Sequence, residues 1–204
     1  MKLFFDTEFT GLSKDTMLIS IGIISEDGRK FYAEFVDYDK SKCDEWVMCN
    51  VIHNLRFPIP ETGEDYYYVA YRTDNNPPGN NFYSSWSLEM NGDVERVRNE
   101  LLKWLDQYDN VEFVSDVCHY DFVLLIDLLT GGGTALELPE YISSVCHDIN
   151  QDIAHYFEVS DYEAFDINRE EIVEKLNGYF VIGEKHNSLY DAEVIRAIYK
   201  QIEG

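Results

Sequence analysis

Five side chains in this sequence have types and spacings from which a chemistry can be argued: Asp6, Glu8, Asp121, His186 and Asp191. Asp6 and Glu8 stand two residues apart at the end of the apolar run Leu3-Phe4-Phe5. Side chains alternate along a strand, so both carboxylates point to one face. Burying neighbouring anions without a counter-charge is costly, and the cheapest compensation is a divalent cation held by carboxylate oxygens. Asp121 and Asp191 fall at the starts of two predicted helices, and His186 precedes Asp191 by five residues. A helix-start acid also has a plainer role, capping amides and complementing the dipole. Together, four carboxylates and a histidine match two divalent metals about 4 Å apart clamping a phosphodiester. Carboxylates suit Mg²⁺ or Mn²⁺ rather than zinc, and a histidine titrating near working pH can take a proton from attacking water. Gly11, in the turn after the strand, lets backbone approach a ligand.

The elements that must carry these groups read as follows. Residues 2–8 form a first strand, Met17 to Ser25 a second, and Phe31 to Asp37 a third, with Asp27-Gly28 as a hairpin turn. Cys43 to Leu55 has helical spacing and ends before Pro58 and Pro60. Residues 61–92 are aromatic-rich and irregular: Tyr66 to Tyr71 is strand-like, and Asn75 to Asn81 is a loop. This insertion is a hairpin packed on the body or a base-stacking surface. Asp93 caps a helix running to about Gln107, Val111 to Val114 is a short buried strand, and Tyr120 to Leu129 is a helix closed by Gly131-Gly132-Gly133. His147 to Phe157 and Asn168 to Leu176 are further helices, joined by an acidic loop from Asp161 to Asp166, and Leu189 to Ile202 is the last. The order predicts one α/β domain over residues 1–204, with an antiparallel opening and a later parallel strand.

Composition narrows the function. The chain has 204 residues, 45% hydrophobic, and a formal net charge of −23, which excludes non-specific binding of polyanions as the main activity. It allows a nucleic-acid enzyme whose metals face the phosphate, and predicts weak, metal-dependent, salt-sensitive binding. Lys185, Arg56, Arg72 and Arg169 are candidate guiding cations. The four cysteines fit no CxxC pair and read as reduced thiols; Cys118-His119 and Cys146-His147 lack finger spacing for zinc. No apolar run approaches transmembrane length, and no N-terminal signal is visible, so a cytoplasmic protein is expected.

Asp6-x-Glu8, Tyr120-Asp121-Phe122 and His186-x-x-x-x-Asp191, in this order, resemble the DEDDh branch of the DnaQ-like 3'-5' exonucleases. Phe5 to Phe9, Ile21 to Arg29, Trp46-Val47 with Val51 to Leu55, and His186 to Ala192 are similar to RNase AS, small homodimeric exoribonucleases preferring adenylate-containing RNA. The resemblance implies a ribonuclease H-like (RNase H-like) fold, two Mg²⁺ (with Mn²⁺ as a substitute) on Asp6, Glu8, Asp121 and Asp191, and His186 as general base. It implies that Phe9, Thr10, Gly11 and Leu12 contact the terminal nucleotide, that single-stranded RNA or DNA 3' ends are the substrate, and that the chain forms a homodimer. Asp116 is a rival to Asp121. Asp121 is preferred because it begins an apolar helix, as the family's third acid does, whereas Asp116 ends a strand. Competing expectations are a non-catalytic nucleic-acid or protein binding module with the same fold, and an exonuclease acting on DNA or short oligonucleotides.

Overall fold

The structure, a computed structural model, describes residues 1–57, 68–73, 86–177 and 181–202. Three strands open the chain as an antiparallel meander: β1 (Lys2–Phe9), β2 (Leu18–Ser25) and β3 (Lys30–Phe35). The largely apolar, wholly buried residues of β2 and the turn at Gly28, where φ is 93°, dictate the β2–β3 hairpin. β4 (Val69–Thr73) and β5 (Trp86–Gly92) extend the sheet beyond β3, with β5 parallel to it. β6 (Val111–Ser115) joins β1 in parallel, and β7 (Ile142–Asp148) joins β6 in the same sense. The seven-stranded order is β4-β5-β3-β2-β1-β6-β7.

Helices cover both faces. Leu3, Phe5, Ile21 and Ile23 pack with α2 (Val94–Leu105), α3 (His119–Thr130) and Val47 and Val51 from α1 (Glu45–Asn50) and the turn after it. Phe4, Ile24 and Val114 pack with α4 (Ile149–Phe157), α6 (Arg169–Asn177) and α7 (Ser188–Ile202). The strand period therefore puts Asp6 and Glu8 on the Phe4 face, toward α7.

Several expectations change. The helix over 43–55 breaks into α1 and a 3-10 turn at Ile52–Asn54, where Asn50 and Asn54 amides bond back to the Trp46 and Asn50 carbonyls. Part of the irregular stretch forms β4 and β5; Tyr66, Tyr67 and Asn75 to Tyr83 lie outside the described residues. β7 replaces the start of the helix expected at His147, and Asp148 instead caps α4 through the Asn150 amide. The acidic segment after Ser160 is a short helix, α5 (Asp161–Phe165), started by a Ser160–Glu163 capping box. No helix among the described residues is long and apolar enough to cross a membrane.

Candidate active site

β1 delivers Asp6 and Glu8, whose register partners on β2 are Gly22 and Ser20. A Cβ on Gly22 would stand 2.2 Å from the Leu189 amide nitrogen, so the missing side chain is what lets the first turn of α7 lie on the sheet. Ser20 and Ser188 hydroxyls meet at 2.9 Å beside it. This close approach carries Asp191, in that first turn, to the two acids of β1. Asp191 Oδ2 accepts the His186 amide at 2.9 Å. One ligand atom each from Glu8, His186 and Asp191 lie within 4.8 Å of one another, the one such cluster among the described residues.

Asp121 arrives by another route. β6 pairs with β1 only as far as Phe4, leaving the later amides of β1 without a strand partner on that side. Asp121, in the first turn of α3, takes one of them: Thr7 donates its amide at 3.0 Å and its hydroxyl at 2.6 Å to Asp121 Oδ1. The second carboxylate oxygen receives neither bond. Asp116 lines the same cavity, but its carboxylate is held bidentately by Arg169, Nε to Oδ2 at 2.6 Å and Nη2 to Oδ1 at 2.9 Å. The cavity, about 860 Å³, is lined by Asp6, Glu8, Asp121, His186 and Asp191 together with the lip residues Phe9, Gly11 and Leu12. Thr10 of the same lip is buried, and its hydroxyl accepts the Met17 amide. Phe9 stacks on Tyr120 at 5.6 Å, Leu12 is 78% exposed, and Trp46 stands edge-on to His186 at 4.9 Å.

Burial and mutual repulsion set the electrostatics. Desolvation, then the charges of Asp121, Asp191 and Glu8, push Asp6 well above the ordinary carboxylate range. Desolvation with Asp191 and Asp121 pushes Glu8 up to about 8, and burial pushes Asp191 up to about 7 against the bond from the His186 amide. Burial also raises Asp121, opposed by its two bonds from Thr7. His186 moves the other way, lowered by burial and by neighbouring Lys185, which keeps its imidazole neutral at physiological pH. Carboxylates that can ionise only at such cost are the donor set a hard divalent cation takes, displacing their protons. With one histidine and no thiolate among these groups, the set fits Mg²⁺ or Mn²⁺.

Three further sequence candidates fall differently. Arg169 is spent on Asp116, Arg56 on Glu89 at 3.2 Å, and Lys185 stands 3.6 Å from Glu170. The side chain of Arg72 lies outside the described residues. Cys118 and Cys146 face each other thiol to thiol, and His147 pairs with Asp152 rather than with a thiol. Nothing in the sequence marks Thr7 as a site residue, and for Gly22 the available signal is a lone glycine inside the apolar run of β2.

No protein-family model matches the chain. Two Mycobacterium tuberculosis proteins named 3'-5' exoribonuclease, from strains CDC 1551 and H37Rv, are each 27% identical over 153 residues, covering 74% of this chain and 73% of theirs. Among solved structures, S. pombe Pop2p in its Mg²⁺- and Mn²⁺-bound form superposes with a TM-score of 0.61 at 14% identity, over 99% of this chain and 82% of that one. A structure titled for 3'-end specific recognition of a histone mRNA stem-loop by 3'-exonuclease gives 0.59 at 11% identity, over 100% of this chain and 64% of that one. The fold is thus ribonuclease H-like, a mixed sheet flanked by helices, as in these two solved structures.

Proposed function

We propose that this ribonuclease H-like chain is a metal-dependent 3'-5' exonuclease, specifically an exoribonuclease that releases 5'-mononucleotides from single-stranded 3' ends. The observation that carries the proposal is the convergence of Asp6, Glu8, Asp121, His186 and Asp191 on one cavity from three separate parts of the chain. The named exoribonucleases at 27% identity and the Mg²⁺- and Mn²⁺-bound neighbour support the same reading.

Asp6, Glu8, Asp121 and Asp191 hold the cations. When bound, two Mg²⁺ ions, or Mn²⁺ in their place, supply the positive charge that neutralises the phosphate and stabilises charge developing on its oxygens. His186, neutral before reaction, takes the proton as water adds to phosphorus and the bond to the 3' oxygen of the preceding nucleotide breaks. The departing 3' oxygen takes a proton from solvent, so the products are a 5'-mononucleotide and a strand one residue shorter with a free 3' hydroxyl. Phe9, Gly11 and Leu12 form the lip over which the terminal nucleotide lies, and Thr10 shapes that lip from within.

The same reading treats residues 1–204 as one exonuclease domain, places it in the cytoplasm in keeping with its free cysteines, and makes it a homodimer, which light scattering tests. Incubating 5'-labelled RNA and DNA strands of one sequence with Mg²⁺ should give a ladder of shortening products, faster on RNA. Unchanged substrate, or full activity in Asp6→Ala, sinks the proposal, and faster loss of DNA replaces the substrate class. Matched homopolymer strands read the adenylate preference that the resemblance implies.

A further inference from the structure

His186 has φ 63°, a left-handed conformation that a residue with a Cβ keeps only where its surroundings over-determine it. The groups that do so lie behind the cavity. Asn54 Nδ2 donates to the Lys185 carbonyl at 2.7 Å, one peptide before the histidine. One residue after it, buried Asn187 donates from Nδ2 to the Asn54 carbonyl at 3.0 Å and to the Tyr32 hydroxyl at 3.1 Å. Tyr32, fully buried on β3, donates its hydroxyl to Glu34 Oε1 at 2.7 Å. Glu34, also buried, accepts the amides of Arg56 and Phe57 as well. One carboxylate on a central strand thus anchors the segment after Asn54 directly, and anchors the His186 loop through Tyr32 and Asn187. None of these four side chains lines the cavity.

We infer that Glu34, Tyr32, Asn187 and Asn54 are a positioning network that holds His186 in its left-handed conformation and thereby places the proton acceptor. The inference rests on the proposed function. Both peptide neighbours of the histidine are tied to the same buried groups, so losing one link lets the imidazole drift, while the acids of β1 stay on their strand and the close packing at Gly22 still seats the first turn of α7. A misplacement of about 1 Å at a reacting group costs on the order of a hundredfold in rate, so partial loosening should be read in turnover rather than in strand binding. A buried donor or acceptor left without a partner is costly, so the groups around a broken link shift to find another.

The test compares Tyr32→Phe and Asn54→Asp, each alone and each combined with His186→Ala, on a 5'-labelled single strand with Mg²⁺. Each single variant should lower kcat about tenfold and leave KM within about twofold. In the His186→Ala background neither should lower the residual rate further, because the group they position is gone. An equal loss in both backgrounds would make the network merely structural and overturn the inference, as would an unchanged kcat. If Tyr32→Phe does not fold, Asn54→Asp, at a partly buried site, carries the same comparison. A wild-type chain that shortens nothing overturns the proposed function and this role with it; an active wild type with neutral variants overturns the network alone.

Discussion

Residue by residue, the site is a cluster of anions that its own burial opposes. A carboxyl whose pKa is higher folded than unfolded binds its proton more tightly when folded, so folding is progressively disfavoured as pH rises between the two values. For Glu8 that window runs from 4.5 to about 8, and for Asp191 from 3.8 to about 7. In chelator, the melting temperature should therefore fall as pH is raised from about 5 to about 8. Mg²⁺ should raise it, by more at the upper end of that range, and Asp6→Asn should both flatten the metal-free decline and shrink the Mg²⁺ shift. Thermal melts at the two pH values with EDTA or Mg²⁺ read all three effects; a Mg²⁺ shift unaltered in Asp6→Asn would remove that residue from the ligand set. The second residue-scale case is Arg169, which holds Asp116 bidentately and also reaches Asn150 Oδ1 at 2.8 Å. Arg169→Met leaves a half-buried carboxylate unpaired beside the other acids, and urea unfolding should show a loss of about 3 kcal/mol. Adding Asp116→Asn should restore much of it, and no recovery would show that the arginine acts through its other bonds.

At the level of elements, α7 matters most, because its first turn sets Asp191 and the His186 loop against β1. Gly22→Ala puts a methyl where the Leu189 backbone now lies, so the turn must lift from the sheet. The expected cost is roughly 1–3 kcal/mol of stability, with at least a tenfold fall in turnover from the displaced acid, about what a misplaced reacting group costs. Full activity at wild-type melting temperature would mean that the helix start is not fixed by this contact. The meander, α2 with its Asp93 cap, α3 with its left-handed Gly131 end and α7 are legible in the sequence because apolar runs or helical spacing, with a cap or a turn glycine at one end of most of them, mark them out. β7 is not: Ile142 is its one buried residue, and an edge strand with partly exposed side chains carries no alternation to read. α5 was legible in principle, since Ser160 and Glu163 make a capping box, but five residues are too few for a period.

Over the whole molecule, charge governs how substrate arrives. The net charge is −23, and the arginines and lysine proposed as guides each stand beside an acid where their side chains are described. The long-range term between chain and strand is then repulsive, and salt screens it over about 10 Å at 0.1 M. At saturating Mg²⁺, kcat/KM on a long single strand should rise as monovalent salt is increased from low values, the reverse of a basic nucleic-acid binder; a steep fall would point to a cationic track. The sequence by itself determined the antiparallel opening, the face shared by Asp6 and Glu8, and the helix starts that carry Asp121 and Asp191, since local periods and caps are set by neighbours in the chain. Only the tertiary structure decided which acid Arg169 neutralises, that Thr7 orients Asp121, and that a missing Cβ at Gly22 admits α7. Those outcomes depend on contacts between residues tens to more than a hundred positions apart, and spacing along the chain carries no record of which distant groups will share a buried site.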